Sequence, residues 1–306
     1  MRYATSPSFR LPALALLAIG LVGCASKPDP YRERVDTLAA PYIDTGHVVG
    51  MSVGLIVEGE TYIYHYGTTH AEGDTLPDDR TLYEIGSISK TFTGLLLAEG
   101  ALSGAWHPND PVTLYLPDDV ALTEGVTLRR LSTHTSGLPR MPHDFAPSEM
   151  TNPYVDYDRD KLYETLRTVP MESEPGTAAS YSNLAVGLLG DTMAKQMGMS
   201  YEALLRSWVL DPLEMRDTTI ALDASEAARL AGPHNGAGEP DHRWDFQALA
   251  GAGAIRSDIV DMMRYAQAQL DPGSTPIAEA IKLSQQRHTE PEGPSLGNGM
   301  GLGWVF

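Results

Sequence analysis

Met51, Val53, Leu55 and Val57 recur at every second position, Glu58-Gly59 supplies a turn, and Thr61 to Tyr66 alternates again. That period of two on either side of a turn predicts a β-hairpin. Ahead of it, Val35, Leu38, Ala39, Tyr42 and Ile43 share one face at helical spacing, so residues 31–44 read as a helix with a kink at Pro41. Beyond a polar loop at Gly73, Pro77, Asp78 and Asp79, helical signals dominate to about residue 288. Phe92, Leu95, Leu96 and Leu97 mark a buried helix starting near Ser87, and Val186, Leu189, Met193 and Met197 give another apolar face. A third runs through Ile259, Met262, Met263, Ala266 and Leu270, with Ser257 as its N-cap and Pro272-Gly273 as its stop. Loops rich in Pro, Asp and Gly occupy 139–160 and 232–246, and Gly301 to Phe306 reads as the beginning of a strand. The whole predicts an α/β (α+β) chain, a small sheet lobe with a long helical insertion.

The chain has 306 residues, 42% hydrophobic and 8% aromatic, the composition of a globular protein large enough for two lobes. It carries 22 Lys and Arg against 40 Asp and Glu, a formal net charge of −18, which argues against nucleic acid as a partner because phosphate binding needs clustered cations. A single cysteine excludes an intramolecular disulfide and a Cys-rich zinc site. The histidines lack ligand spacing, so neither a metal nor a cofactor is expected.

The one cysteine has a particular place. Arg2 and Arg10 precede an apolar stretch from Leu11 to Val22, the layout of a secretory signal over residues 1–23. Leu21-Val22-Gly23-Cys24 resembles the bacterial lipobox, which implies a lipidated Cys24, a tether over 24–30 and a membrane as partner. A thioether-linked lipid with an N-acyl chain supplies the two anchors that stable attachment needs. Ala25 and Ser26 lack the aspartate linked to inner-membrane retention, so the expected location is the outer membrane, facing the periplasm.

Chemistry enters at Ser87-Ile88-Ser89-Lys90. Residues three apart on a helix share a face, so the Ser87 hydroxyl and the Lys90 amine can meet. A serine is a weak nucleophile until a neighbouring base takes its proton, and lysine serves as that base when burial and nearby cations favour its neutral form. Tyr181-Ser182-Asn183 follows Pro175-Gly176 and precedes a predicted helix. A phenol beside a lysine can shuttle protons, and an asparagine amide can hold a substrate amide or simply cap the helix.

With the surrounding segments, these motifs resemble the class C β-lactamase family, which includes related penicillin-binding D-alanyl-D-alanine peptidases and serine esterases. The likeness runs from Tyr83-Glu84-Ile85-Gly86 through Leu131-Ser132-Thr133-His134-Thr135-Ser136-Gly137-Leu138-Pro139 to Ala250-Gly251-Ala252-Gly253 and Gly301-Leu302-Gly303-Trp304. The resemblance implies a serine β-lactamase / D,D-peptidase-like fold. Its sheet lobe would comprise 31–80 and 289–306, with a mostly helical lobe over 81–288. It implies Ser87 as acylated nucleophile, Lys90 and Tyr181 as general acid–base pair, Asn183 as substrate-amide ligand, and His134 as structural. The implied substrates are β-lactams or D-Ala-D-Ala-type peptidoglycan peptides. Two alternatives stay open: a carboxylesterase, or a non-catalytic cell-wall-binding protein. No Lys-Thr-Gly occurs, and the two His-x-Gly tripeptides, His65-Tyr66-Gly67 and His234-Asn235-Gly236, both precede Gly301-Leu302-Gly303-Trp304. In the family that third motif lies on a strand after the Gly-Leu-Gly-Trp landmark, so the expectation is a C-terminally truncated chain, poorly folded and nearly inactive as written.

Overall fold

The computed structural model describes Met1, residues 29–289 and residues 293–306, so Cys24 and the rest of the signal segment lie outside the described residues. Helix α1 (Arg32–Asp44) continues through Pro41 and buries Val35 and Ala39. The predicted hairpin follows: β1 (Gly50–Val57) pairs antiparallel with β2 (Glu60–Gly67), from Gly50 opposite Gly67 to Val57 opposite Glu60. Among the described residues these strands pair only with each other, and Gly54 of β1 leaves room for the Met263 side chain to lie against the strand. A second two-stranded sheet joins β3 (Tyr83–Glu84) to β4 (Arg256–Ser257) across most of the chain.

Between and after β3 and β4 come the helices α2 (Ser89–Ser103), α3 (Leu128–Ser132), α4 (Arg159–Thr168), α5 (Asn183–Gln196), α6 (Tyr201–Leu205), α7 (Ala224–Ala227), α8 (Ala250–Gly253), α9 (Ile259–Leu270) and α10 (Ala278–Ser284). The mixed architecture with short antiparallel sheets and many helices is the α/β arrangement that the hydrophobic pattern predicted. Helix α2 is its axis. Phe92, Leu95, Leu96 and Leu97 are fully buried, and α5, α8 and α10 surround them. Each such side chain contributes roughly 1.5–3 kcal/mol by leaving water. Phe92 stacks on Tyr265 of α9 at 4.0 Å between ring centroids, and the Trp106 indole donates to the Leu97 carbonyl at 3.0 Å.

Three boundaries differ from the sequence reading. Ser87 does not sit in an α-helix but in a 3-10 turn, Gly86–Ile88, ahead of α2; Gly86 has φ 51°, a left-handed bend that turns the chain out of β3. Helix α9 is capped by Asp258, not Ser257. The Asp258 carboxylate accepts the Asp261 N–H at 2.8 Å, while the Ser257 hydroxyl is already bonded to Thr218 at 2.8 Å. Its inward face runs Asp261, Tyr265, Ala268, leaving Leu270 exposed.

The third difference is at 301–306, where no strand forms among the described residues. Met300 bridges back to Val305, and the Gly301 N–H donates to the Trp304 carbonyl at 2.9 Å, closing a tight turn. That turn lies on α2: Gly94 faces the Leu302 carbonyl and Gly303, at φ 76°, faces the Lys90 carbonyl, contacts that leave no space for a Cβ. A tight turn won over an extended strand because two glycines allow backbone to press on backbone.

Candidate active site

Ser87 is presented by the turn after β3, and Lys90 by the first turn of α2. The Lys90 Nζ donates to Ser87 Oγ at 3.1 Å and to the Ala252 carbonyl of α8 at 2.6 Å. Lys90 is 3% exposed, and burial followed by the nearby Arg140 charge lowers its ammonium to about 7. Near neutral pH about half the amine is therefore unprotonated, with a lone pair for the Ser87 proton. The Ala252 carbonyl keeps one N–H engaged and so orients that lone pair.

Tyr181 approaches from the other side of the hydroxyl, its phenol donating to Ser87 Oγ at 2.7 Å. The Lys90 Nζ lies 4.8 Å from the Tyr181 ring centroid and the Arg140 guanidinium 5.0 Å from it. Ser87, Lys90 and Tyr181 thus form one hydrogen-bonded group, drawn from segments 94 residues apart. Asn183 stands one step outside. It is the first residue of α5, its N–H donates to the Arg140 carbonyl at 2.9 Å, and its side-chain amide lies 3.4 Å from the Met141 sulfur. The cap of α5 is Ser182, whose hydroxyl accepts the Ala185 N–H at 2.9 Å and donates to the Pro139 carbonyl at 2.6 Å. Asn183 is therefore free of the capping duty that the sequence left open for it.

His134 lies beneath Tyr181, with ring centroids 4.6 Å apart. Its Nδ1 accepts the Ser182 N–H at 3.1 Å, and its carbonyl accepts the Ser180 N–H at 2.9 Å. Burial, with the charges of Lys90 and Arg140, lowers its pKa to about 4. A neutral, hydrogen-bonded imidazole there fixes the backbone on both sides of Tyr181, and it is not aimed at Ser87.

Arg140 was missed by the sequence reading, which stopped at the preceding Gly-Leu-Pro. It is exposed, yet its guanidinium covers the Tyr181 ring and its carbonyl holds the start of α5. A lone cation directly after a Gly-Leu-Pro turn was the available signal. Lys90 and Arg140 together give the surroundings of Ser87 a positive character within a chain of net charge −18.

A cavity of about 380 Å³ borders the site, lined by Tyr83, Glu84, Gly86 and Trp244 among others. The outer wall is held by Arg256, itself 2% exposed, which pairs with Glu84 at 3.0 Å and Asp245 at 3.1 Å and donates to the Trp244 carbonyl at 2.7 Å. A larger cavity of about 670 Å³ lies between β2 and α9 and touches none of Ser87, Lys90, Tyr181 or Asn183. Hydrogen-bond geometry, not cavity size, locates the chemistry. Among the described residues no group of His, Cys, Asp and Glu is arranged to hold a metal.

A buried lysine and a tyrosine converging on one serine make Ser87 the candidate nucleophile, and comparison with known proteins supplies the family. The sequence profile of the beta-lactamase family matches residues 35–306, and the chain belongs to that family. It is 33% identical over 236 residues to a beta-lactamase of Providencia stuartii, covering 76% of this chain and 59% of that relative. It is 29% identical over 301 residues to a beta-lactamase of Escherichia coli K12, covering 97% and 76%. The D-alanyl-D-alanine-carboxypeptidase/endopeptidase AmpH of the same organism is 27% identical over 310 residues, covering 97% and 79%. The chain thus spans less than two thirds of the Providencia stuartii relative.

Proposed function

We propose that this chain is a serine hydrolase that forms an acyl-enzyme on Ser87 with β-lactam or D-Ala-D-Ala-type amides. The observation carrying the reading is the pair of contacts on Ser87 Oγ, 3.1 Å from Lys90 Nζ and 2.7 Å from the Tyr181 hydroxyl. In the reacting form the neutral Lys90 amine takes the Ser87 proton as Oγ bonds to the amide carbon. The proton reaches the leaving nitrogen through the Tyr181 hydroxyl as the C–N bond breaks, and water then releases the acyl group by the same route. The Ser87 backbone N–H, at the turn leading into α2, supplies a donor for the developing oxyanion. Arg140 favours a substrate bearing a carboxylate, which both amide classes have and a simple ester lacks. The names of the relatives, beta-lactamase and D-alanyl-D-alanine-carboxypeptidase/endopeptidase, point to the same two classes.

Intact-mass measurement of the chain mixed with nitrocefin or a D-Ala-D-Ala peptide tests this. A covalent adduct absent from Ser87→Ala supports the acyl-enzyme. Folded chain that binds either compound without an adduct rejects it in favour of a binding protein. For the anchor, we propose lipidation at Cys24 and attachment to the outer membrane, supported by the Leu-Val-Gly-Cys sequence after an apolar stretch. Palmitate labelling in a bacterial host should occur in the wild type and vanish in Cys24→Ser; equal labelling of both would reject it.

A further inference from the structure

A second serine of this chain also faces a base. Ser52 of β1 sits directly across the hairpin from His65 of β2, and Ser52 Oγ lies 2.9 Å from His65 Nδ1. On the other side of the ring, His65 Nε2 lies 3.0 Å from the Asp79 carboxylate. The Tyr83 hydroxyl is 3.0 Å from Ser52 Oγ. The hydrogen placement follows from the chemistry of the partners. An ionised carboxylate only accepts, so the neutral imidazole donates Nε2–H to Asp79, and Nδ1 is left as an acceptor. The only hydrogen available to Nδ1 from Ser52 is the hydroxyl's own, and Tyr83 then donates to the serine oxygen. Burial holds the Tyr83 phenol above the ordinary tyrosine range, so it stays a donor.

We propose that Ser52, His65 and Asp79 form a second nucleophilic serine centre, one that reacts with small, uncharged, activated esters. The roles are those of a serine–histidine–aspartate triad, with the two ring nitrogens exchanged. The cluster reaches the surface through its exposed member Asp79, and it adjoins the 380 Å³ cavity, which Tyr83, in contact with Ser52, and Gly50, on the same face of β1, both line. Ser52 itself is half-buried. Glu84 in the cavity wall is paired with Arg256, but Asp241 also lines it and the Asp79 carboxylate is exposed beside His65, so an anionic ester is disfavoured relative to a neutral one. This centre shares no side chain with the Ser87 group, and the inference does not depend on the activity proposed there. In the reaction Ser52 Oγ bonds to the ester carbonyl carbon, its proton passes to His65 Nδ1, the aryl C–O bond breaks, and the phenol leaves with that proton.

The test is to acetylate the full Ser87→Ala chain with p-nitrophenyl acetate, quench in acid, digest it and map the modified peptide by mass. An acetyl group on Ser52 is expected. His65→Gln should slow its formation on the order of 10²-fold, the usual contribution of a general base. Asp79→Asn should slow it less, because that carboxylate is exposed. Mapping the wild-type chain the same way separates Ser52 from Ser87 and keeps the test sound whatever Ser87→Ala does to folding. The proposal fails if Ser52 stays unmodified in a chain with wild-type circular dichroism and melting. It fails equally if His65→Gln, similarly folded, is acetylated at the wild-type rate; the cluster would then only tie the hairpin to β3.

Discussion

Ser87 and Ser52 each hold a hydroxyl against a nitrogen base, 3.1 Å and 2.9 Å away, yet the charges beside the two bases differ: cations at Ser87, an aspartate at Ser52. Around Ser87 the base is a buried lysine with an arginine beside it, and the neighbourhood is positive. Around Ser52 the base is a half-buried histidine facing an exposed aspartate. The histidines repeat the contrast. His134, buried near Lys90 and Arg140, offers its Nδ1 to a backbone N–H and serves structure. His65 offers its Nδ1 to a serine. Residue type alone therefore does not assign a role here; the sign of the local charge and the partner of each lone pair do.

The comparison breaks most visibly at Lys90. Lys90→Met keeps the bulk, removes the base, and should lower amide turnover by on the order of 10²–10⁴-fold, while acetylation at Ser52 is unchanged. If both serines lost reactivity together, the two centres would not be independent. In the wild type, amide turnover should rise with pH as Lys90 loses its proton, half-maximal near its value of about 7.

A smaller effect is expected at His134. Its ring is neutral in the fold down to a pKa of about 4, while in the unfolded chain it takes a proton near its ordinary value of 6.5. The unfolded state then binds more protons between those values, so the contribution of His134 to stability is lost as pH falls through that window. The stability advantage of wild type over His134→Gln should shrink by about 3 kcal/mol between pH 6.5 and 4 in denaturant titrations. The raised Asp258, at about 6, has the opposite dependence and cancels in this difference. A constant gap across that range would mean that His134 is not held neutral by its surroundings.

The smallest effect belongs to Arg140, which is exposed and screened by solvent. Arg140→Gln removes the second cause of the low Lys90 value, so the half-maximal pH of amide turnover should move up. Burial, the larger cause, keeps it below that of an ordinary lysine. KM for a carboxylate-bearing substrate should rise about tenfold, roughly one charge-assisted hydrogen bond, with KM for a neutral ester unchanged. Equal changes for both substrates would remove Arg140 from carboxylate recognition.

Much of this was legible in the sequence, because it depends on local period and motif. Alternation at 51–57 and 61–66 set the hairpin, and the spacing of Ser87 and Lys90 put their side chains on one face. The order of short motifs identified the family, and with it Tyr181. The reading failed where several good local candidates competed. Ser257 and Asp258 are both reasonable caps, and only the Thr218 contact decides between them. Gly301 to Phe306 has strand-like residues, yet its glycines let the chain turn onto α2.

The sequence by itself determined the 50–67 hairpin and the long helices, and which two motifs carry a serine, a lysine and a tyrosine. Only the tertiary structure brought Arg140 over Tyr181, lowered Lys90 by burial, and set Ser52, His65 and Asp79 in line. The reason is one of range. Periodicity is fixed by bonds between near neighbours, whereas a pKa and a hydrogen-bond relay depend on desolvation and on charges that arrive from distant parts of the chain.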